Sequence, residues 1–281
     1  GGALVIGITG PPGAGKSTLT DCLIEQARDA DLSVGVLAVD PSSPISGGAI
    51  LGDRIRMNRF ALDKAVFVRS LASRGHFGGI TPATRGAIRV MDAMGKDVIF
   101  VETVGVGQDE VDIARLAHTT IVVAVPGLGD DVQAMKAGIL EVADLFVVNK
   151  ADHPDADKTA EYLKNIFRRA PEGVWLPPII KTQALHYRGI DEVWEAIQQH
   201  RDYREPGSEQ YRAQHLANCR RELRSFLKES LELALNEKLD NAPEISHAIS
   251  DVAEGKTDIY VAVDQILDKL GLNGLVSGDR K

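Results

Sequence analysis

The feature that most constrains the fold of this chain is a glycine-rich segment near the start of the sequence. Residues 10–18 read GPPGAGKST and match the phosphate-binding loop pattern GxxxxGK[ST] at every fixed position. An apolar run at 3–8 precedes the segment and predicts a buried strand, and residues 19–30 follow it with helical periodicity. A strand, a glycine-rich loop and a helix in this order form a phosphate cradle, so the pattern predicts a P-loop NTPase fold.

The residue types of this loop suit a nucleoside triphosphate. Glycines let consecutive backbone N–H groups curl around the β-phosphate, where the helix N-terminus adds partial positive charge. Lys16 would reach the β- and γ-phosphates, and the Ser17 hydroxyl would bind magnesium. The nucleotide contacts expected from the loop are Gly13, Ala14, Gly15, Lys16, Ser17 and Thr18.

Apolar, β-branched runs alternate with helical patterns from residue 3 to about residue 200. The predicted strands are 4–9, 33–39, 66–71, 97–102, 120–125, 144–149 and 178–182. The predicted helices are 18–30, 81–94, 111–117, 155–169 and 190–200. Continuous apolar strands that alternate with helices indicate an α/β fold, a mostly parallel sheet with helices on both faces.

The composition changes at residues 205–207, which read EPG. A long helical pattern without glycine or proline follows at 209–239, and two shorter ones follow at 244–254 and 258–270. We therefore expect a P-loop domain at 1–204 and a helical arm and tail at 205–281.

Charge and cysteine content narrow the classes of partner. The 281 residues carry a formal net charge of −8 without a basic stripe, which argues against nucleic acid as a partner. No apolar stretch is long enough for a membrane span. The two cysteines, Cys22 and Cys219, suggest neither a disulfide framework nor a metal cluster, so a cytoplasmic location is the default expectation.

A second motif, NKAD at 149–152, follows the predicted sixth strand. The Asp152 carboxylate can accept hydrogen bonds from N1–H and the exocyclic amine of guanine, a donor pair that adenine lacks. The stem of Lys150 would lie over the base, and Asn149 would join this strand to the phosphate loop. After the last predicted strand, Gln183 and Ala184 stand where a backbone N–H would contact the guanine carbonyl. The motif therefore indicates GTP rather than ATP.

Carboxylates for a magnesium site come from three places in the sequence. Asp40 ends the second predicted strand, Glu102 ends the fourth in the Walker B position, and Asp53 lies on the loop between them. Gly105 follows Glu102 closely, and its N–H could meet the γ-phosphate. Each carboxylate could instead form an ion pair or cap a helix.

Longer segments carry a family resemblance. Residues 39–44, 47–57, 73–79, 101–108 and 149–152 resemble the MeaB/ArgK-type GTPases, called MMAA in humans, which are chaperones of adenosylcobalamin-dependent acyl-CoA mutases. The resemblance covers residues 3 to about 200 closely and the helical tail more loosely. It implies a SIMIBI-class P-loop GTPase in which Asp40, Asp53 and Glu102 surround the magnesium or its waters. Family members usually carry a helical segment before the first strand, whereas this sequence starts almost on that strand.

The resemblance also implies cofactors and partners. GTP, GDP and Mg²⁺ would bind this chain, whereas cobalamin would be bound by the partner mutase. The helical tail would act as a dimerisation appendage and build a homodimer, and an adenosyltransferase is a further candidate partner. The segments 40–53 and 102–110 would respond to the γ-phosphate. The glycine-rich segment 126–136 would signal to the mutase or, alternatively, form a simple strand–helix turn.

The expected reaction is hydrolysis of GTP to GDP and phosphate, with Lys16, Asp53, Glu102 and Gln108 as the candidate catalytic residues. Gln108 is the candidate for positioning water, and candidates for an arginine finger are Arg54, Arg74 and Arg115. We expect slow intrinsic hydrolysis that a partner accelerates. One alternative is a metal-delivering GTPase of the same class, although His76, His118 and His153 form no evident cluster with the cysteines. The other alternative is a transport-associated kinase, which would need a phosphoacceptor site.

Overall fold

The computed structural model describes residues 2–40, 57–60, 62–72, 82–103, 113–114, 116–127, 142–167, 175–204 and 243–269, together with positions 216, 220, 223–224, 227 and 230–231. The chain divides into two compact units, Gly1–Asn218 and Cys219–Lys281. The first unit holds the sheet, and the second is helical wherever it has regular structure within the described ranges.

The first unit is built on a seven-stranded sheet in the order β3-β2-β4-β1-β5-β6-β7. Its strands are β1 (Leu4–Thr9), β2 (Val34–Asp40), β3 (Val66–Ala72), β4 (Val98–Thr103), β5 (Thr119–Ala124), β6 (Leu145–Val148) and β7 (Ile179–Lys181). Each overlaps one predicted strand, and every pairing between neighbours is parallel. The predicted P-loop NTPase fold is confirmed.

Alternate residues of each central strand point to opposite faces of the sheet, and both faces are covered. Helices α1 (Lys16–Asp29) and α4 (Ile190–Tyr203) pack on the face that carries Ile6 and Ile8 of β1. On the other face, α2 (Pro82–Ala93) packs around Val5, and α3 (Ala156–Phe167) packs around Phe146 of β6. Burial on both faces explains why these strands read as unbroken apolar runs.

Two short 3₁₀ helices, Met57–Phe60 and Ala184–His186, were not predicted, because a single turn is too short to show periodicity. The second is followed by Tyr187, whose φ of 56° turns the chain back toward α4. Of the helix predicted at 111–117, only 113–114 are assigned to a helix within the described residues.

The second unit contains α5 (Pro243–Ala253) and α6 (Ile259–Lys269), close to the predicted helices at 244–254 and 258–270. The chain reverses between them at Gly255, whose φ of 70° favours glycine. Described positions from 220 to 231 are helical and fall inside the predicted helix at 209–239. The role of this region in dimerisation remains a prediction. None of the described helices has the length and apolarity needed to span a membrane.

Candidate nucleotide-binding site

The loop between β1 and α1 has a backbone that only glycine permits at two positions. Gly10 has a φ of 140°, and a Cβ placed there would lie 2.2 Å from the Val123 carbonyl oxygen of β5. Gly15 has a φ of 86° and precedes the first residue of α1, and its Cβ would lie 2.3 Å from Asn149 Nδ2. The loop is therefore pressed against β5 on one side and against the end of β6 on the other.

Lys16 directs its charge into this loop. Its side chain is buried, and Nζ donates hydrogen bonds to the carbonyl oxygens of Gly10 (2.8 Å) and Pro11 (3.1 Å). The ammonium group and the N-terminus of α1 thus bring positive charge to the same small enclosure. This arrangement suits a ligand that carries several negative charges, such as a nucleoside polyphosphate.

Ser17 and Glu102 meet beside the loop. Strands β1 and β4 are neighbours, and Thr103 Oγ1 donates to Thr9 Oγ1 (2.9 Å) across their carboxyl ends. The register places Glu102 next to α1, where Ser17 Oγ donates to Glu102 Oε1 over 2.6 Å. Glu102 is only 5% exposed, so the carboxylate belongs to an enclosed polar site.

These oxygens fit a magnesium ion. Mg²⁺ prefers hard oxygen ligands, and a hydroxyl and a carboxylate lie together beside the phosphate loop. Asp40 ends β2, the strand that pairs with β4 on its other side, so the backbone brings it to the same edge of the sheet. Asp53, also predicted for this site, lies outside the described residues.

Several other predicted residues lie outside the described part of the chain. They are Gly105, Gln108, Arg54, Arg74, Arg115, His76 and Cys219. Most of the segments expected to sense the γ-phosphate, 40–53 and 102–110, and most of the glycine-rich segment at 126–136, also lie there.

Asn149 joins the phosphate loop to the loop after β7. Its Nδ2 donates to the Ala14 carbonyl oxygen at 2.8 Å. Its Oδ1 accepts from Thr182 Oγ1 and from the Ala184 backbone N–H, both at 3.1 Å. Asn149 is 4% exposed, so all of these bonds are shielded from water. One side chain therefore fixes the distance between the phosphate side and the base side of the site.

The chain turns sharply after Asn149. Lys150 adopts a left-handed φ of 58°, the Ala151 N–H donates to the Thr182 carbonyl, and the His153 N–H donates to the Lys150 carbonyl. This turn leaves the side chains of Lys150 and Asp152 exposed at the carboxyl end of β6. Both predicted base-reading side chains are thus available to a ligand.

The loop after β7 is held by its own hydrogen bonds. The Gln183 N–H donates to the Arg188 carbonyl at 3.0 Å, and the Ala184 N–H donates to Asn149 Oδ1. Both amides that were considered for the guanine carbonyl therefore already donate to acceptors within the protein. The Ala184 carbonyl accepts a hydrogen bond from the Cys22 thiol at 3.3 Å, and burial raises the pKa of that thiol to about 11.

Two residues that support the site from α1, Thr20 and Cys22, were not predicted from the sequence. Thr20 Oγ1 lies 3.2 Å from Glu102 Oε2 and 2.9 Å from the Lys16 carbonyl oxygen, so its one proton serves two acceptors. The spacing from Ser17 to Thr20 places both on one helix face and could have identified Thr20. Nothing in the sequence pairs Cys22 with Ala184, because that contact joins distant segments.

Two of the histidines considered for a metal cluster, His118 and His153, accept hydrogen bonds from backbone N–H groups. His118 Nδ1 accepts from the Val5 N–H at 3.0 Å, and His153 Nδ1 accepts from the Asp155 N–H at 3.2 Å. Within the described ranges, no group of three or more His, Cys, Asp or Glu side chains could hold a metal ion.

Comparison with solved structures agrees with this fold. The crystal structure of a protein named LAO/AO transport system kinase matches 96% of this chain and 82% of its own, with a TM-score of 0.67 and 27% identity. The hydrogenase maturation factor HypB from Archaeoglobus fulgidus matches 70% of this chain and 89% of its own, with a TM-score of 0.53 and 22% identity. The second similarity shows a shared fold only.

Sequence comparison identifies the family. A putative GTPase from Pyrococcus abyssi is 46% identical over 98% of this chain and 86% of its own length. The GTPase ArgK of Escherichia coli is 44% identical over 70% of this chain and 61% of its own. The mouse methylmalonic aciduria type A homolog, a mitochondrial protein, is 39% identical over 69% of this chain and 48% of its own. The family model described as methylmalonyl-CoA mutase-associated GTPase MeaB matches residues 1–240, so the chain belongs to that family of P-loop GTPases.

Proposed function

We propose that this chain binds GTP with magnesium, hydrolyses it slowly, and controls an adenosylcobalamin-dependent acyl-CoA mutase in the cytoplasm. The observation that carries the proposal is the position of Asn149. Its side chain bonds to Ala14 of the phosphate loop and to Ala184 of the base-side loop. A ligand in the site would therefore meet Lys16 at one end and Asp152 at the other, which corresponds to a guanine nucleotide.

On the phosphate side, this chain supplies positive charge and oriented donors. Lys16 and the backbone amides of the loop stabilise the negative charge that spreads over the transferring phosphoryl group. Ser17 and Glu102 would hold magnesium, with Asp40 and Asp53 as further candidates from the sequence. When bound, magnesium neutralises charge on the phosphate oxygens. Gln108 remains the candidate for positioning the attacking water.

Asp152 provides the test of nucleotide identity. Asp152→Asn presents an amide where the carboxylate would accept two hydrogen bonds from guanine, and it matches the pattern of xanthine instead. We expect the variant to lose affinity for GTP and to gain affinity for xanthosine triphosphate, as measured by nucleotide competition. Asp155→Asn is the matched control, since Asp155 pairs with Lys158 over 2.8 Å on the same segment. An unchanged preference in Asp152→Asn would contradict the assigned role.

The proposed partner follows from the family, whose description names methylmalonyl-CoA mutase. Methylmalonyl-CoA, isobutyryl-CoA and hydroxyisobutyryl-CoA mutases would all suit the proposed role. Cobalamin would be carried by the mutase, and an adenosyltransferase is a further candidate partner. The chain would act as a homodimer through the helical region at 205–281. If a cognate mutase leaves the rate of GTP hydrolysis unchanged, a chaperone that is gated by that partner is ruled out.

One solved relative is named a transport system kinase, and a kinase would form a different product. Incubation with γ-labelled GTP separates the two activities. A GTPase releases labelled free phosphate, whereas a kinase transfers the label to a protein. We expect free phosphate as the labelled product, and a labelled protein would support the kinase.

A further inference from the structure

The side chain of His153 lies against the backbone of Gly127. Gly127 follows β5 and has a φ of 89°, and a Cβ placed on it would lie 2.7 Å from His153 Cε1 and 3.0 Å from His153 Nε2. The imidazole ring therefore occupies the space that any side chain at position 127 would need. Because β5 and β6 are neighbours in the sheet, this contact joins the segment after β6 to the segment after β5.

Hydrogen bonds to the start of α3 hold His153 in this orientation. His153 Nδ1 accepts from the Asp155 backbone N–H at 3.2 Å, so the neutral ring carries its proton on Nε2. The His153 carbonyl oxygen accepts from the Ala156 N–H at 3.0 Å, at the first residue of α3. The side chain and the backbone of His153 are thus both fixed by the N-terminal end of this helix, while the ring rests on Gly127.

Asp152 depends on its two neighbours for its position. Among the residues that the structure describes, Asp152 forms neither a hydrogen bond nor an ion pair, and its side chain is exposed. Before it, the Ala151 N–H donates to the Thr182 carbonyl at 2.9 Å, which ties the turn to the end of β7. After it, the His153 N–H donates to the Lys150 carbonyl at 3.0 Å, which closes the turn on itself. The ring of His153 adds a contact on this second side, with the segment after β5.

We propose that His153 is a positioning residue for guanine selectivity. Its ring seats the turn at 150–153 against Gly127, so that the Asp152 carboxylate faces the N1–H and the exocyclic amine of guanine. Two acceptor oxygens must meet two donors at once, so a displacement of the turn weakens both hydrogen bonds together. This inference rests on the proposed function, because it requires a guanine base at Asp152. The role assigned to the ring is contact with Gly127, not contact with the base.

The test compares three ligands by competition against a fluorescent GDP analogue. GDP can donate two hydrogen bonds to Asp152, inosine diphosphate lacks the exocyclic amine and can donate one, and pyrophosphate meets only the phosphate loop. If His153→Ala weakens each bond about threefold, the affinity for GDP should fall roughly tenfold and that for inosine diphosphate about threefold. The ratio of the GDP affinity to the inosine diphosphate affinity should therefore fall about threefold, and the pyrophosphate affinity should change by less than about twofold.

Gly127 offers a second way to disturb the same contact. Gly127→Ala places a Cβ 2.7 Å from the His153 ring and should lower the affinity ratio to a similar extent, and combining it with His153→Ala should lower the ratio little further. Gly95→Ala is the matched control, because Gly95 also has a positive φ, 77°, but its Cβ would meet nothing within 4 Å. The control should leave the ratio unchanged. His153→Phe keeps a ring against Gly127 and should recover most of the wild-type ratio.

The possible outcomes separate this inference from the function on which it rests. Equal losses for all three ligands in His153→Ala would mean a general structural role, and an unchanged ratio would mean no role in selectivity, so either result overturns the inference. Failure of His153→Phe to recover the ratio would assign the effect to the bond with Asp155 and overturn the role of the ring contact. If wild-type protein binds GDP no better than inosine diphosphate, the assignment of Asp152 fails together with the role of His153. If wild-type protein binds no guanine nucleotide at all, the proposed function fails as well.

Discussion

Replacing Asn149 with alanine should damage both the stability of the first unit and nucleotide binding. The change removes three buried hydrogen bonds, to Ala14, Thr182 and Ala184. Each buried bond contributes about 1 kcal/mol net, and partners left unpaired in the interior raise the cost. We therefore expect the free energy of unfolding to fall by about 3 kcal/mol or more, which corresponds to a loss of roughly 6–12 °C in Tm for a domain of this size.

Urea unfolding followed by tryptophan fluorescence measures this loss. Both tryptophans, Trp175 and Trp194, lie in the first unit, so their emission reports on that unit. Thr182→Val serves as the control, because it removes only one of the three bonds and should cost about 1 kcal/mol. Affinity for GDP should fall much further in Asn149→Ala than in the control. An Asn149→Ala variant that loses no more stability than Thr182→Val would refute the reasoning that this side chain holds the site together.

Three further predictions concern the phosphate loop and α1. Gly10→Ala should unfold the protein or abolish nucleotide binding, because the new Cβ would lie 2.2 Å from a backbone oxygen. In Gly13→Ala the new Cβ would meet nothing within 4 Å, so this control should cost only about 1 kcal/mol of strain from its positive φ. Equal decreases in Tm for the two variants would contradict this steric argument. Because Thr20 contacts Glu102, Thr20→Val should raise the magnesium concentration needed for tight nucleotide binding by roughly tenfold and leave binding in EDTA unchanged. Thr20→Ser keeps the hydroxyl and should restore the wild-type dependence on magnesium. An equal loss of nucleotide affinity in EDTA would indicate a packing role instead. Because the pKa of Cys22 is raised to about 11, the folded protein keeps the thiol proton to a higher pH than the unfolded chain does. The contribution of Cys22 to stability is therefore full below its ordinary pKa of 9.0 and is lost as the pH rises toward 11. The difference in the free energy of unfolding between wild-type and Cys22→Ala, measured in urea, should shrink over this range, and a constant difference would exclude the linkage.

Much of the first unit could be predicted because its determinants are local in sequence. Strands buried on both faces read as continuous apolar runs, and β1 was predicted at its observed limits, Leu4–Thr9. Helical patterns lie between most of the successive strands, and this order favours parallel pairing. The phosphate loop and the motif at 149–152 were recognisable for the same reason, because each is a short contiguous pattern.

The supports of the site could not be predicted, because they join segments that are far apart in sequence. The bond from Cys22 to Ala184, for example, depends on how α1 lies against the loop after β7. The two 3₁₀ helices were not predicted because a single turn is too short to show a periodic pattern of apolar residues. Thr20 was visible as a polar residue on α1, but its contact with Glu102 follows from the pairing of β1 with β4.

The sequence by itself determined the kind of site that this protein carries. The glycines at 10, 13 and 15 and the charge of Lys16 predict a cradle for phosphate, and the carboxylate of Asp152 predicts a reader for guanine, because the chemistry of each resides in its own residues. Only the tertiary structure decided how the phosphate side and the base side of the site are held at a fixed distance from each other. Asn149 and Thr20 contact partners that the folded sheet brings within hydrogen-bond distance, and such distances are set by packing rather than by spacing along the chain.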